Sequence, residues 1–272
     1  MPIDVKALAG ELATAYATRQ AIATVPSARD GAFGLADAYA VEAELVRLRL
    51  EAGHRTVGRK IGYANRALWR ALKLDTLVWA HMYDDTVQHA SRGTATLAID
   101  RMFSPKIEPE IVFKLRSALG ADAVEPQAAL AGVEWMALGF EIIDCPFPGW
   151  KYQPADFVAA YGLHAALIVG EPLAIDPGSI SSLADSLGQF TVKLIKDGEL
   201  VEEGSGKNAL KSPARALGEL AAAISRQTGA EPLSAGELVS TGTLTTSMLI
   251  APGQQWQATV EGLPLAGLTV RV

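Results

Sequence analysis

The chain has 272 residues, 49% of them hydrophobic, and its 24 lysines and arginines are outnumbered by 30 aspartates and glutamates, for a formal net charge of −6. So large an apolar fraction excludes intrinsic disorder and predicts a globular protein with a sizeable core. The acidic balance, without any cluster of Lys and Arg, argues against a nucleic-acid partner. Because Cys145 is the only cysteine, intrachain disulfides are excluded and a cytoplasmic location is predicted.

The N-terminal third begins with helical patterns. Apolar residues recur at helical spacing on both sides of a polar loop at 23–33, which predicts two amphipathic helices before residue 53. This region alternates charged and apolar residues and lacks the apolar core of a secretory signal. The longest charge-free stretch, 238–260, carries several polar side chains, so we expect no membrane span.

Beyond His54 the sequence becomes strand-like. Residues 56–63 predict a strand and 65–72 a short helix with Asn65 as its N-cap. Further strands are predicted at 107–115, 138–143, 165–169, 190–196, 238–244 and 256–260, with helices at 156–161 and 213–228. An Asp-Gly pair at 197–198 predicts a hairpin. We expect one α+β catalytic domain over 1–272, with a helical N-terminal subregion at 1–53 and a β-rich core at 54–272.

A Glu-x-Glu pair is the most informative motif. On a strand, side chains two residues apart face the same way, so Glu108 and Glu110 point to one side. Two like charges on a partly buried surface repel each other unless a cation lies between them. The alternative is a solvent-facing acidic edge strand, which is common for such a pair.

Glu141 strengthens the metal hypothesis because it lies in a very apolar run, 137–143. An ionised carboxylate is costly to bury without a partner. Three carboxylates without nearby cysteines or paired histidines favour Mg²⁺ or Mn²⁺ over zinc. A salt bridge from Glu141 to an Arg or Lys is the alternative.

Lys60 lies between two glycines in 58–62, where the backbone could approach a ligand. A lysine held near a metal and buried could exchange protons with a substrate. Most lysines at strand ends are simply solvated, and the spacing alone does not separate the two interpretations.

Four segments in order resemble a known family: Gly-Arg-Lys-Ile-Gly-Tyr (58–63), Ile-Glu-Pro-Glu-Ile (107–111), Phe-Glu-Ile-Ile-Asp (140–144) and Ser-Thr-Gly-Thr-Leu (240–244). Their order and separation resemble the 2-keto-4-pentenoate hydratase / 4-oxalocrotonate decarboxylase group of the fumarylacetoacetate hydrolase superfamily. The resemblance spans nearly the whole chain. It implies a mixed β-roll, a Mg²⁺ or Mn²⁺ ion, 2-oxo acid substrates and a homo-oligomer.

The resemblance also implies roles for individual residues. It places the metal on Glu108, Glu110 and Glu141, in agreement with the reasoning from the residues themselves. Lys60 matches the family's catalytic lysine. The segment Thr241, Gly242 and Thr243 matches the turn that lines the substrate pocket.

Two departures from the family pattern fall at the implied pocket. The hydratases have an Ala-Asp-Met whose aspartate works with the lysine, whereas this chain has Ala80-His81-Met82. The family's Asp-Asn-Ala-Ser stretch is replaced by 160–163, followed by His164. An imidazole near a metal can activate water at neutral pH, so His81 is a second catalytic candidate, although a lone histidine is more often structural.

Together these features predict a metal-dependent enzyme that acts on 2-oxo acids through an enolate. A hydratase-like lyase of aromatic-compound catabolism fits the length and motif order best. The alternatives are a carbon–carbon hydrolase of acylpyruvates, motivated by His81, a 2-oxo acid decarboxylase, and a binding protein that keeps the metal without turnover. All three reactions share the enolate, so the metal ligands alone do not choose among them.

Overall fold

The computed structural model describes residues 3–272 as a mixture of helices and strands, which confirms the predicted α+β class. Its α-helices are α1 (Val5–Thr18), α2 (Pro26–Arg29), α3 (Leu35–Glu51), α4 (Arg66–Leu72), α5 (Pro126–Ala131), α6 (Pro154–Ala159), α7 (Ile180–Ser186) and α8 (Pro213–Arg226). Its strands are β1 (Thr56–Gly62), β2 (Val78–Tyr83), β3 (Val87–His89), β4 (Thr94–Thr96), β5 (Lys106–Leu115), β6 (Val133–Ile143), β7 (His164–Val169), β8 (Leu173–Ala174), β9 (Thr191–Lys196), β10 (Glu199–Ser205), β11 (Leu238–Ser240), β12 (Met248–Leu249), β13 (Gln255–Glu261) and β14 (Leu268–Arg271).

The strands form two mixed sheets. The larger has nine strands in the order β2-β1-β11-β5-β6-β7-β3, with β12 paired to β5 and β8 paired to β6. The smaller has five strands in the order β10-β9-β13-β14-β4. The long antiparallel pair β5 and β6 lies in the middle of the larger sheet, where both strands have hydrogen-bonded neighbours on either side.

The main hydrophobic core joins the two sheets and α8. Phe113 from the larger sheet, Trp256 from the smaller one and Leu217 from α8 belong to the same buried cluster. Helix α8 buries one whole face, as expected for a helix whose apolar residues recur every three or four positions. A second cluster joins α1, α3 and α6 to one end of the larger sheet.

Helix α3 covers the edge of the larger sheet, where β2 has no strand partner on its outer side within the described range 3–272. The Trp79 N–H donates to the Tyr39 hydroxyl at 3.3 Å, and the His81 N–H donates to Glu42 Oε1 at 3.0 Å. These bonds satisfy backbone groups that an open edge strand leaves exposed to other chains. The N-terminal helices thereby close one side of the sheet.

Several predicted elements differ from the structure in their limits. A short helix, α2, lies within the predicted loop at 23–33, where Pro26 occupies the first helical position. The predicted strand 238–244 ends at Ser240, because the chain turns at Gly242 with φ +95°. Strand β2, which carries His81, was not predicted. The hairpin at 197–198 and the Asn65 N-cap are confirmed, the latter by a 3.0 Å bond from the Ala67 N–H.

Within residues 3–272, no helix combines the length and apolar character needed to cross a bilayer. The division of the chain at residues 53 and 54 into two subregions stays a prediction. The first strand begins at Thr56, after three helices.

Candidate metal and substrate site

The three predicted metal ligands meet on one face of β5 and β6. Glu108 lies directly opposite Glu141 in the antiparallel register, and Glu110 follows two residues along β5 on the same face. One carboxylate oxygen from each residue lies within 4.8 Å of the others. Like charges directly opposite each other destabilise a sheet, so this arrangement calls for a compensating cation.

Burial makes the repulsion more severe. Glu110 and Glu141 are fully buried, while Glu108 keeps a partial exposure to an adjoining cavity. Burial, and next to it the charge of Glu141, raises the pKa of Glu108 to about 7. The same two causes, in the same order, raise the pKa of Glu110 well above its ordinary value. The site holds more negative charge than its surroundings stabilise.

Two oxygens of this site have no hydrogen-bond partner among residues 3–272, namely Glu110 Oε1 and Glu141 Oε2. The second of these faces the Lys60 ammonium at 3.1 Å, an ion pair whose angles are not those of a hydrogen bond. Orphaned buried oxygens are expensive in an apolar interior. A set of carboxylate oxygens with unused lone pairs is the environment that hard divalent cations prefer.

Strand β1 brings Lys60 to the carboxylates. Its side chain is 2% exposed, and its Nζ donates to the Gly162 carbonyl at 2.9 Å while lying 3.1 Å from Glu141 Oε2. The ammonium also lies 4.7 Å from the centre of the Phe157 ring. Lys60 is therefore a buried, oriented cation, not the solvated lysine of the alternative interpretation.

The Gly162 carbonyl is presented by a strained turn. Tyr161, Gly162 and Leu163 have φ values of +56°, +59° and +57°, three consecutive residues in the left-handed region. A side chain at Gly162 would meet Ala80 Cβ at 2.8 Å and Lys60 Cδ at 3.0 Å, so only glycine fits against the lysine. Left-handed conformations in residues other than glycine are costly and concentrate at functional sites.

The same turn leads into His164, which the sequence reasoning named only as a departure from the family. Its ring is buried, with Nδ1 2.9 Å from Glu141 Oε1 and Nε2 2.9 Å from Thr86 Oγ1. A histidine that bridges a ligand carboxylate to a hydroxyl fixes the orientation of that ligand. The signal available in the sequence was a histidine at the start of a strand next to the replaced family motif.

The turn after β11 supports Glu110. Its Oε2 accepts hydrogen bonds from Ser240 Oγ at 2.6 Å and from the Gly242 N–H at 2.8 Å. A side chain at Gly242 would meet Ala64 Cβ at 2.5 Å, and its φ of +95° also favours glycine. Of the three residues predicted to contact substrate, Gly242 and Thr243 line the cavity. Thr241 instead donates its hydroxyl to the Ile111 carbonyl at 2.8 Å and anchors the turn.

The cavity beside the carboxylates, here called the catalytic cavity, has a volume of about 240 Å³. Its walls combine aromatic side chains with polar groups that can donate hydrogen bonds to an anionic ligand. The aromatic ones include Trp150, Tyr152 and Phe157, and the polar ones include Lys60, Asn65, Lys106, Asn208 and Ser247. A small cavity with convergent polar groups at one end suits a small organic acid.

The structure does not bring His81 to this cavity, and its predicted catalytic role is not supported. In the antiparallel pair of β1 and β2, His81 lies opposite Arg59 while Lys60 lies opposite Ala80, so the two side chains point to opposite faces of the sheet. His81 Nδ1 lies 2.6 Å from Glu42 Oε1, on α3. The position indicates a structural contact between the edge strand and the covering helix.

A second cluster also has the ligand types of a metal site. His54 Nδ1 lies 3.5 Å from an oxygen of Asp84 and 3.5 Å from an oxygen of Asp85. Here, however, Arg49 pairs with Asp85, and Arg55 Nε lies 3.8 Å from Asp84. The two aspartates are exposed and balanced by two arginines. This surface cluster is a set of ordinary ion pairs.

The fold and the site together define a class: a β-roll protein that presents a buried cluster of three glutamates and a lysine to a small cavity. Residues 80–271 match the family described as fumarylacetoacetate (FAA) hydrolase C-terminal. The chain belongs to that family. The resemblance noted in the sequence, and the mixed β-roll it implies, are confirmed.

Relatives and a solved structure extend this match over most of the chain. The 2-hydroxyhexa-2,4-dienoate hydratase of Comamonas testosteroni is 28% identical over 229 residues, which cover 84% of this chain and 83% of that protein. A 4-oxalocrotonate decarboxylase of a Pseudomonas species is 30% identical over 234 residues, 86% of each chain. The 4-oxalocrotonate decarboxylase of Pseudomonas putida G7, solved with magnesium and adipate, has the same fold, with a TM-score of 0.87 at 24% identity over 98% of this chain and 96% of that one.

Proposed function

We propose that the protein is a divalent-metal-dependent lyase that hydrates 2-hydroxy-2,4-dienoates, the enol forms of 2-oxo acids with a conjugated double bond. The observation that carries the proposal is the buried cluster of Glu108, Glu110 and Glu141 with the Lys60 ammonium 3.1 Å from one of its oxygens. The related hydratase, 28% identical over 84% of this chain, supports the reaction type. The family resemblance implies a role in aromatic-compound catabolism, which is the role we propose here.

The chemistry of the donors fits Mg²⁺ or Mn²⁺. All three proposed ligands are carboxylates, and two of their buried oxygens have no hydrogen-bond partner among the described residues. We assign Glu108, Glu110 and Glu141 to the cation. When bound, it would act as a Lewis acid toward the 2-oxo end of the substrate and favour the enolate.

Side chains around the cavity supply the proton transfer, the substrate contacts and the exclusion of water that the reaction needs. Lys60 is held by the Gly162 carbonyl and Glu141 at the wall of the cavity, where it can exchange a proton with substrate carbon or water. Asn208 lines the same cavity and can donate a hydrogen bond from its amide to the substrate carboxylate, while Thr243, whose hydroxyl donates to the Thr245 carbonyl at 2.8 Å, forms part of the cavity wall. Aromatic walls limit bulk water, which strengthens every charge interaction inside.

Decarboxylation is the second candidate, because a 4-oxalocrotonate decarboxylase is 30% identical over 86% of both chains. It would use the same enolate, with carbon dioxide leaving in place of water addition. Hydrolysis of acylpyruvates would use the same three glutamates to hold the metal ion. Its motivation in the sequence was His81, which faces away from the cavity.

The experiment that tests the proposal offers three substrates to the protein loaded with Mn²⁺: 2-hydroxypenta-2,4-dienoate, 4-oxalocrotonate and an acylpyruvate. Products are identified by NMR and mass spectrometry. We expect a hydrated 4-hydroxy-2-oxo acid from the first. Carbon dioxide from the second without hydration of the first would replace hydratase by decarboxylase, and turnover of the third alone would replace it by hydrolase.

The homo-oligomer and the cytoplasmic location stay predictions from the sequence. Light scattering of the purified protein measures the first, and fractionation of cells measures the second. Binding of pyruvate and Mn²⁺ without product from any of the three substrates would favour the non-catalytic alternative.

A further inference from the structure

Tyr152 presents an unused hydroxyl at the wall of the catalytic cavity. The residue lies in the loop between β6 and α6 and lines the cavity. The hydroxyls of Tyr16 and Tyr39 are hydrogen-bonded, whereas that of Tyr152 has no hydrogen-bond partner among residues 3–272. Unlike the Tyr83 hydroxyl, which is unpartnered but shielded from solvent, the Tyr152 hydroxyl is accessible. A ligand in the cavity can therefore bond to it without displacing an internal contact.

The phenol ring of Tyr152 is held in place by its surroundings. Its centroid lies 6.3 Å from that of Phe157 and 6.4 Å from that of Trp150, within the range at which aromatic rings attract each other. The next residue along the chain is also fixed, because the Gln153 N–H donates to Asp156 Oδ2 at 2.8 Å at the start of α6. A group that contacts a reacting substrate needs such support to keep one geometry.

The Tyr152 hydroxyl lies within electrostatic reach of the metal ligands. Burial is the main cause that raises the pKa of Tyr152 above its ordinary value, and the carboxylate of Glu108 contributes to the shift. Tyr63 lines the same cavity, but after burial it is Asp156 that raises its pKa. Tyr152 is thus the tyrosine of this cavity that senses the carboxylates. It stays protonated at neutral pH and can act as a hydrogen-bond donor.

Phe157 connects Tyr152 to Lys60 along the cavity wall. The Lys60 ammonium lies 4.7 Å from the centre of the Phe157 ring, and the Tyr152 ring packs against the same ring. In a 2-oxo acid whose carboxylate and C2 lie at the glutamates, C4 is two bonds beyond C2, about 2.5 Å away. Neighbouring wall positions of this kind suit a pair of groups that contact C3 and C4.

Hydration needs a group that stabilises charge at C4. His81, which occupies the position of the family's aspartate, faces away from the cavity. In the reverse reaction the oxygen on C4 leaves as hydroxide and gains negative charge. A positioned hydrogen-bond donor stabilises this charge, and the same contact lowers the barrier of the forward reaction.

We propose that the Tyr152 hydroxyl donates a hydrogen bond to the oxygen that hydration adds to C4. The inference rests on the proposed function and deepens it by adding a catalytic residue. The water oxygen forms a bond to C4 of the ketonised substrate, a 2-oxo-3-enoate, and the C3–C4 π pair moves toward C2 to give the enolate. Lys60 takes the proton that the water loses and returns a proton to C3, while Tyr152 keeps its own. Decarboxylation adds no oxygen at C4, so this contact serves hydration alone.

The test separates enolate formation from hydration. With Mg²⁺ in D₂O, NMR follows exchange of the C3 protons of 2-oxopentanoate, which requires the enolate but no oxygen on C4. Absorbance follows the loss of 2-hydroxypenta-2,4-dienoate, which requires both. Tyr152→Phe should lower the rate of hydration by about 100-fold, the loss typical of one positioned donor, and change the rate of exchange by less than about twofold. Because no internal hydrogen bond is lost, Tm should stay at the wild-type value.

A binding measurement adds a readout that does not depend on turnover. Calorimetry with Mg²⁺ compares 4-hydroxy-2-oxopentanoate with 2-oxopentanoate, which lacks only the 4-hydroxyl. The wild type should bind the hydroxylated acid about fivefold more tightly, the size of one net hydrogen bond, and Tyr152→Phe should lose this preference. Tyr83→Phe is the matched control, because it removes an unpartnered tyrosine hydroxyl that does not line the catalytic cavity. It should leave both rates and the preference unchanged.

Four results overturn the role of Tyr152. Hydration at the wild-type rate in Tyr152→Phe excludes the contact and leaves the proposed function intact. Equal losses of exchange and hydration assign Tyr152 to the enolate step and not to the oxygen on C4. A binding preference that survives Tyr152→Phe means that another group holds the 4-hydroxyl. If the wild type exchanges the C3 protons but hydrates no dienoate, the proposed hydratase function is wrong and the role of Tyr152 falls with it.

Discussion

The buried carboxylate cluster, made of Glu108, Glu110 and Glu141, and the surface cluster, made of His54, Asp84 and Asp85, offer the same kinds of ligand atom. They differ in how far neighbouring cations neutralise their carboxylates. Each has at least two carboxylates, one histidine and one basic side chain within contact distance. At the surface, Asp84 and Asp85 are exposed and each has an arginine. In the buried cluster, three glutamates share one lysine close by, Lys60.

The difference shows that proximity of ligand atoms does not define a cation site. Water and arginines already satisfy the surface cluster, so a metal ion there would have to displace them for little gain. The buried cluster keeps charge that its surroundings do not neutralise, and two of its oxygens have no hydrogen-bond partner among residues 3–272. Buried carboxylates whose negative charge is not neutralised by protein groups favour metal binding, because the ion supplies the missing positive charge.

The largest expected effect comes from removing one buried carboxylate. Glu110→Gln keeps the size and an acceptor for Ser240 and Gly242, but it removes a charged ligand. We expect Mn²⁺ affinity to fall by more than about 100-fold, beyond the loss typical of an outer partner, and turnover to fall with it. Calorimetry measures the affinity. Asp84→Asn at the surface cluster is the control, and an equal loss there would erase the distinction.

The second-largest effect distinguishes Lys60 of the buried carboxylate cluster from Arg49 of the surface cluster. Lys60→Met should lower turnover by about 10²–10⁴-fold, the usual contribution of a positioned proton-transfer group, while Mn²⁺ still binds. Arg49→Met at the surface cluster should change the free energy of unfolding by about 0.2–1 kcal/mol and leave turnover alone. Steady-state kinetics and denaturant unfolding measure the two. Wild-type turnover in Lys60→Met would remove this lysine from the mechanism.

The two histidines provide a third contrast. His164→Phe removes the contact that orients Glu141, so we expect metal affinity to fall by about 10–100-fold. His164→Gln, which keeps a donor, should recover part of it. His54→Phe should leave affinity unchanged, because its neighbours already pair with arginines. Equal affinities for His164→Phe and the wild type would reduce His164 to a packing residue.

The smallest effect is a pH dependence of the metal-free protein. Because the folded pKa of Glu108 is about 7 against an ordinary 4.5, the folded state holds this proton more tightly than the unfolded chain. The stability it contributes is therefore fully present below about pH 4.5 and is lost as the pH rises through about 7. Tm should fall by a few degrees over this range, and Mn²⁺ should reverse the fall most strongly at high pH.

For Asp84 of the surface cluster we expect the contribution to stability to increase with pH, and to do so at lower pH than the change caused by Glu108. A hydrogen bond from the Arg55 N–H is the main cause that lowers the pKa of Asp84 below its ordinary 3.8. Its contribution is present above that value and is lost as the pH falls through the lowered pKa. Asp84→Asn should therefore leave the fall between pH 4.5 and 7 intact, whereas Glu108→Gln should flatten it. If Asp84→Asn removed the fall in Tm between pH 4.5 and 7, the assignment of this fall to Glu108 would be wrong.

The sequence was most informative where side chains alternate regularly along a strand. Alternation on one strand placed Glu108 and Glu110 on the same face, and an apolar run identified Glu141 as a buried charge in need of a partner. The pairing of Glu108 with Glu141 depends on the register between two strands, which a single sequence does not specify. The family resemblance placed the three glutamates on one metal ion, but it did not give this pairing.

The rest of the site depends on contacts between distant segments. Lys60 meets the carbonyl of Gly162, 102 residues later, and His164 reaches Thr86 across 78 residues. The face of β2 on which His81 lies could not be predicted, because β2 itself was not predicted and the face of a strand residue is unknown until the strand and its partner are known. Tyr161 and Leu163 give no sign of a left-handed turn, since such residues seldom adopt it.

The left-handed turn at 161–163 connects the N-terminal helices to Lys60. Two non-glycine residues in this conformation cost about 1–2 kcal/mol each, so something must hold them. Tyr161 packs against the ring of Tyr16 at a centroid distance of 5.5 Å, and the Tyr16 hydroxyl lies 3.2 Å from the Ala160 carbonyl that it donates to. Helix α1 therefore braces the turn whose Gly162 carbonyl accepts a hydrogen bond from Lys60, so the N-terminal helices and the carboxylate site are packed as one unit.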